Sequence, residues 1–153
     1  MIRKARISDA ESIYKLVASY SQKGVMLSRS LNSIYEHIRD FWVVEDDQSH
    51  ELIGCAALQI IGWDGLAEVR SLVISSSKQN MGLGKKLIDT CINEANEMNV
   101  KRLFALTFVP GFFIKCGFYE ISKDKLPHKI WSDCIDCPMF PDCKEIAVII
   151  DLN

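Results

Sequence analysis

Apolar positions along this chain come in two kinds of run. Some are short, nearly continuous and bounded by polar or glycine-bearing turns, and others repeat every three to four residues. The first kind reads as buried strand and the second as amphipathic helix. Residues 1–7 alternate and predict a first strand. Ser8-Asp9-Ala10-Glu11 then has capping-box spacing, with Ser8 bonding forward and Glu11 bonding back. The helix behind it carries Ile13, Leu16, Val17 and Tyr20 on one side and should end before Gly24. A second helix is predicted over about 31 to 38, with Leu31, Ile34, Tyr35 and Ile38 as its stripe.

Strand-like runs follow. Phe41–Glu45 and Leu52–Ile61 are joined by a polar hairpin connection, and Gly62-Trp63-Asp64-Gly65 turns the chain into 67–74. These predict an antiparallel meander of strands two, three and four. Leu52–Ile61 is nearly all apolar, so it belongs inside the sheet with both faces covered. A helix over about 82–98 shows Leu83, Leu87, Ile88, Cys91, Ile92, Ala95 and Met98 along one side. The fifth strand, 102–108, should return parallel to the fourth through a right-handed crossover. Pro110 opens a short helix ending at Cys116-Gly117, and 118–122 and 146–152 are the last strands, separated by a long insert. The pattern is that of an α/β (α+β) protein whose mixed, mostly antiparallel sheet has about seven strands.

Composition narrows the class. A chain of 153 residues, 48% of them apolar, fits one domain over 1–153 with a real core. Its 18 basic and 20 acidic residues give a net charge of 18 − 20 = −2 with no basic block, which argues against nucleic acid as a partner. No apolar run approaches the roughly 20 residues of a membrane span, and the first residues lack the apolar segment of a secretory signal. A cytoplasmic protein is expected. Of six cysteines, Cys55, Cys91 and Cys116 lie in apolar elements and read as buried thiols.

The chemistry concentrates around one strand–loop–helix stretch. Leu72-Val73-Ile74 runs into a polar loop, Gln79-Asn80-Met81-Gly82-Leu83-Gly84-Lys85, which opens directly into a helix. Glycines allow close backbone approach, and a helix N-terminus carries partial positive charge and unpaired N–H groups that suit phosphate. An ordinary strand-to-helix turn would look similar. The loop is neither a dinucleotide fingerprint, because Leu87 stands where the third glycine belongs, nor a P-loop, which needs Gly-Lys-Ser/Thr. Just upstream, Glu68 could serve as a base, yet strand alternation puts Arg70 on the same face, where the two could simply form an ion pair. Arg29 lies between the first two helices, where it could grip a carboxylate or be a solvated loop residue. Cys134, Cys137 and Cys143 have Cys-x₂-Cys-x₅-Cys spacing. They could bind zinc with a fourth ligand such as His128, form a proline-braced loop, or act as a redox-sensitive pair.

Gln79-Asn80-Met81-Gly82-Leu83-Gly84 resembles the Gln/Arg-x-x-Gly-x-Gly/Ala loop of the GNAT N-acetyltransferase superfamily, which cradles the pyrophosphate of acetyl-CoA. Phe112-Phe113-Ile114-Lys115-Cys116-Gly117-Phe118 resembles its Phe-Tyr-x-x-x-Gly-Phe segment, with Phe113 where many members carry a tyrosine that protonates the leaving thiolate. No general acid is assigned for that reason. The ordered set Gly24…Arg29-Ser30, Ala67-Glu68-Val69-Arg70-Ser71-Leu72, Leu103 to Thr107, Phe112-Phe113 and Leu126 to Trp131 with Cys134-x-x-Cys137-Pro138 narrows the likeness. It resembles short, stand-alone amino-acid N-acetyltransferases related to N-acetylglutamate synthase, an enzyme of arginine biosynthesis.

The resemblance implies helices on both sheet faces and a V-shaped split between strands four and five. Acetyl-CoA would enter that split and pair with backbone at Leu72, Val73 and Ile74. Its pyrophosphate would lie on Gln79, Asn80, Met81, Gly82, Leu83, Gly84 and Lys85. Glu68 would activate the attacking amine, with Ser71 beside the reacting centre. Arg29, Arg70 and Lys129 are candidates for the carboxylates of glutamate, and glutamine is an alternative acceptor. A homodimer is a further possibility. A different class of function also fits the sequence, namely a non-catalytic module that binds acyl-CoA or a protein partner on the same fold.

Overall fold

A computed structural model describes residues 1–23, 29–62, 64–126 and 145–152. Among them are β1 (Ile2–Lys4), α1 (Ala10–Ser21), α2 (Leu31–Glu36), β2 (Phe41–Glu45), β3 (Leu52–Ile61) and β4 (Leu66–Ile74). They continue with α3 (Leu83–Glu97), β5 (Arg102–Thr107), α4 (Pro110–Lys115), β6 (Tyr119–Ile121) and β7 (Ile146–Asp151). The strands form one seven-stranded sheet in the order β1-β2-β3-β4-β5-β7-β6. The meander is antiparallel, β4 and β5 are parallel, and β7 slots antiparallel between β5 and β6. The mixed, mostly antiparallel α/β architecture read from the sequence is the one present.

Strand alternation sorts side chains onto two faces. Ala56, Leu58, Ala67, Val69 and Leu103 pack with Leu87, Ile88 and Cys91 of α3 and with Phe113. Cys55 and Ala57, one residue out of phase in β3, pack with Ile13, Val17 and Ile34 of α1 and α2. A smaller cluster of Ile61, Leu66, Phe104, Ala147, Ile149 and Leu126 forms farther along the sheet. β3 is interior to the sheet. Gly54, Cys55, Ala56, Ala57, Leu58 and Ile61 are buried as its composition predicts, whereas Ile60 is 45% exposed, so the covering of both faces does not reach that position.

The start of α1 differs from the capping-box reading. A single 3₁₀ turn, Ile7–Asp9, precedes the helix, and Asp9 closes it by accepting from the Arg6 N–H at 2.7 Å. Asp9 also takes two bonds from the Arg3 guanidinium, at 2.8 and 3.0 Å. These contacts, Arg3 first, hold its carboxyl below the usual range. A carboxylate with a charged partner makes stronger bonds than the Ser8 hydroxyl could, so the turn forms around Asp9. The second helix is also shorter than predicted, because the chain tightens into a 3₁₀ turn at Ile38–Asp40.

β4 contains one extra residue relative to β3. Cys55 opposes Val73 while Ala57 opposes Arg70, so three steps on β4 match two on β3. Ser71 takes up the difference at φ +53°, as in a β-bulge. The consequence shows in the packing. Ala67 and Val69 face α3, but past the bulge Val73 packs toward α1 and α2, while Leu72 and Ile74 turn toward α3. One inserted residue reverses the alternation.

Candidate active site

β4 and β5 are joined at one end and apart at the other. Gly65 O accepts from the N–H groups of Lys101 and Arg102, at 2.7 and 3.1 Å. Leu66, Ala67 and Glu68 then pair with Arg102, Leu103 and Phe104, and the ladder stops there. β4 continues for six more residues to Ile74, and β5 for three more to Thr107. Glu68 therefore stands at the fork, with the Ser71 bulge just beyond it. The Ser71 carbonyl is met by the Cys55 thiol at 3.4 Å. Burial pushes that thiol up to about 12 and the Cys91 thiol likewise to about 12. Neither ionises readily enough to act as a nucleophile near neutral pH. Cys116 is half-buried rather than fully enclosed, and burial raises it too.

The chain leaves β4 through a 3₁₀ turn at Ser76–Lys78 and enters α3 by way of Asn80 at φ +65° and Gly82 at φ +79°. The two glycines serve different ends. A Cβ on Gly82 would meet nothing within 4 Å, so the requirement is its left-handed backbone. A Cβ on Gly84 would come within 3.1 Å of the Phe112 ring, so that glycine is needed for packing against α4. The first bond of α3 is Lys86 N–H to Gly82 O at 3.1 Å. The N–H groups of Leu83, Gly84 and Lys85 thus lie outside the helical ladder, next to open space at Gly82. This cradle suits a pyrophosphate.

Side chains of the loop are arranged less simply than the motif suggests. Gln79 donates to the Tyr20 hydroxyl and, at 3.1 Å, to Ile74 O. The Tyr20 hydroxyl donates to the same carbonyl, and burial raises it above the usual phenol range. The Gln79 amide thereby ties the loop to β4 and α1. Lys85 pairs with Asp89 at 3.0 Å on the exposed face of α3. Asn80 and Met81 are exposed.

Glu68 is 4% exposed and accepts from Arg70 Nε at 2.6 Å, so the ion pair inferred from alternation is present. Arg29 precedes α2, whose N-cap Ser30 accepts from the Ser33 N–H at 3.0 Å. It is not a solvated loop residue. Its Nε donates to Ser33 Oγ at 3.2 Å, and its guanidinium lies over the Phe41 ring at 5.1 Å. Its Nη1 is buried without a hydrogen-bond partner among the described residues. Burial, reinforced by the like charge of Arg70, pushes the guanidinium below its ordinary range, while Asp40, Cys55 and Glu68 pull the other way. Phe113 is buried, with its ring edge-on to Phe112 and Phe118 at 5.3 and 5.2 Å.

Two residues beside β4, one at its far end and one at the fork, escape a motif-based reading. Tyr20 reads as one more apolar position of α1. Gln59 is the only polar side chain in β3, and that isolation was its signal. It sits opposite Glu68 in register, and its Oε1 is buried with no partner among the described residues. Lys129, Cys134, Cys137 and Cys143 lie outside the described residues, among which no cluster of metal-ligating side chains is found. The zinc reading of those cysteines thus falls outside what the structure describes. Among the same residues no helix is long and apolar enough to cross a membrane.

The family model described as acetyltransferase (GNAT) family matches residues 10–121, which include the fork, the bulge and the glycine loop. The chain belongs to the GNAT family. An "Uncharacterized N-acetyltransferase" of Chlorobaculum tepidum is 40% identical over 148 residues, 97% of this chain and 94% of that protein. An "Amino-acid acetyltransferase" of Mycobacterium tuberculosis is 31% identical over 134 residues, 87% of this chain and 76% of its own length. Among solved structures, N-acetylglutamate synthase from Neisseria gonorrhoeae, complexed with coenzyme A and N-acetyl-glutamate, superposes with a TM-score of 0.90 at 28% identity. All of this chain is covered in that comparison, but it spans only 35% of the synthase chain. These likenesses make the protein a GNAT-type N-acetyltransferase with acetyl-CoA as donor.

Proposed function

We propose that this enzyme transfers the acetyl group of acetyl-CoA to the α-amine of an amino acid, with L-glutamate the first candidate and glutamine the second. The observation that carries this reading is the buried Glu68 at the fork of β4 and β5, paired with a half-buried Arg70, with Arg29 held half-buried nearby. The named relatives add that the M. tuberculosis protein is called an amino-acid acetyltransferase and that the N. gonorrhoeae synthase was solved with N-acetyl-glutamate.

The acceptor arrives as an ammonium, and only the neutral amine attacks. Glu68 takes the proton, directly or through a water, from its place at the fork. The amine nitrogen then forms its bond to the thioester carbon, the C–S bond breaks, and the proton that the nitrogen gives up on becoming an amide balances the one the CoA sulfur takes up on leaving as the thiol. Leu72 is the better backbone donor to the developing oxyanion, since the Val73 N–H lies toward Cys55 Sγ. Gly82, Leu83, Gly84 and Lys85 hold the pyrophosphate through backbone N–H groups. Arg70 is engaged by Glu68, so Arg29 is the leading grip for a substrate carboxylate, with Lys129 in reserve. Transfer is direct within a ternary complex, since the described thiols are poor nucleophiles.

Thiol release from acetyl-CoA, followed with each of the common amino acids in turn, tests the proposal. Glutamate or glutamine should give the highest kcat/KM. Acetyl-CoA binding with no thiol release for any amino acid would instead favour a non-catalytic acyl-CoA-binding module.

A further inference from the structure

Two buried side-chain polar atoms lack a hydrogen-bond partner among the described residues, Arg29 Nη1 and Gln59 Oε1. One can only donate, and the other is an amide oxygen that can only accept. Arg29 belongs to the carboxylate grip proposed above. Gln59 has no role in it.

Its position is informative. Gln59 opposes Glu68 across the β3–β4 ladder, and directly opposed residues of antiparallel strands share a face with Cβ atoms about 4.5–5.5 Å apart. That face carries one apolar cluster reaching Ala57 and another beginning at Ile61 and Leu66. Gln59, Glu68 and Arg70 occupy the polar interval between them. A side-chain carbonyl oxygen buried there without a partner is unfavourable in the free protein. It is better explained by a ligand group that reaches the same place.

We propose that the side-chain carbonyl of Gln59 accepts an N–H bond from the acceptor's α-amine and holds that amine against Glu68. After Glu68 removes one proton, the neutral amine retains two N–H groups and a lone pair. One N–H bonds to Gln59 Oε1, and the lone pair is thereby aimed at the thioester carbon. A neutral amide suits this task because it accepts a hydrogen bond without competing for the proton. The inference rests on the reading of this site as an amine acetyltransferase.

The test compares Gln59→Met, of similar length but without the amide, with Gln59→Glu, which accepts but does not donate. Kinetics are measured with the preferred amino acid on the plateau of the pH profile, beside thermal unfolding. Gln59→Met should lower kcat/KM for the amino acid by about 10- to 100-fold, the scale of one lost bond to a charged or reacting group. The KM for acetyl-CoA should stay within about twofold and the melting temperature should not fall, because an unpaired buried amide is replaced by an apolar group. Gln59→Glu should recover only part of the loss, because it accepts the bond but competes for the proton, and should move the acid limb of the profile upward, since a second carboxylate near Glu68 favours its protonated form. Wild-type kinetics in Gln59→Met, a loss that only parallels lost stability, or a Glu variant as impaired as the Met variant would each overturn the proposal. If the unaltered enzyme turns over no amino acid, the acetyl-transfer reading has failed and this one goes with it. If it turns over and Gln59→Met matches it, only this inference fails.

Discussion

At the scale of residues, the account turns on how Glu68 is held. Its carboxylate is buried, and its contact with Arg70 fixes its position. Glu68→Gln keeps the shape and removes the capacity to take a proton. Turnover should fall by about 10²–10⁴-fold, with acetyl-CoA affinity within about twofold by calorimetry. An unchanged rate would remove Glu68 as the base. The Glu68–Arg70 contact was legible from the sequence because alternation in a strand is a local rule. The burial of Arg29 was not, since the depth of a loop side chain depends on the Phe41 ring that β2 brings beneath it. Gln59 was legible in principle as the lone polar residue of an apolar strand, but its meaning needed the register that sets it opposite Glu68.

At the scale of elements, the helices and the meander follow from periodicity, and their predicted limits differ by a few residues. The bulge did not follow. Nothing in Arg70-Ser71-Leu72 marks an inserted residue, and only the family resemblance suggested a reacting centre there. The glycine loop was legible as a motif, but its two glycines were not distinguishable. Gly82→Ala places a Cβ in open space at φ +79°, a backbone penalty of about 1–2 kcal/mol. Gly84→Ala presses on the Phe112 ring, and overpacking of this kind costs about 1–3 kcal/mol. Urea unfolding should show the Gly84→Ala loss partly relieved by adding Phe112→Leu, while Gly82→Ala with Phe112→Leu should be additive. Additivity in both pairs would mean that Gly84 is not there for packing.

At the scale of the molecule, seven strands and two helical layers serve mainly to hold one fork open. The sheet is closed on the β1–β4 side by antiparallel ladders and on the far side by β5, β7 and β6. Between these halves the β4–β5 ladder ends at Glu68 and Phe104. Backbone groups at 69–74 and 105–107 thus border a gap that a pantetheine arm can fill by pairing as an added strand. The pyrophosphate would rest where α3 begins. Amide hydrogen exchange across the chain, with and without saturating acetyl-CoA, tests that claim most directly. The account predicts slower exchange at gap-facing amides of 69–74 and at 82–85, with little change in β1, β2 and β6. Acetyl-CoA that binds tightly while leaving exchange at 69–74 and 82–85 unaltered would contradict it.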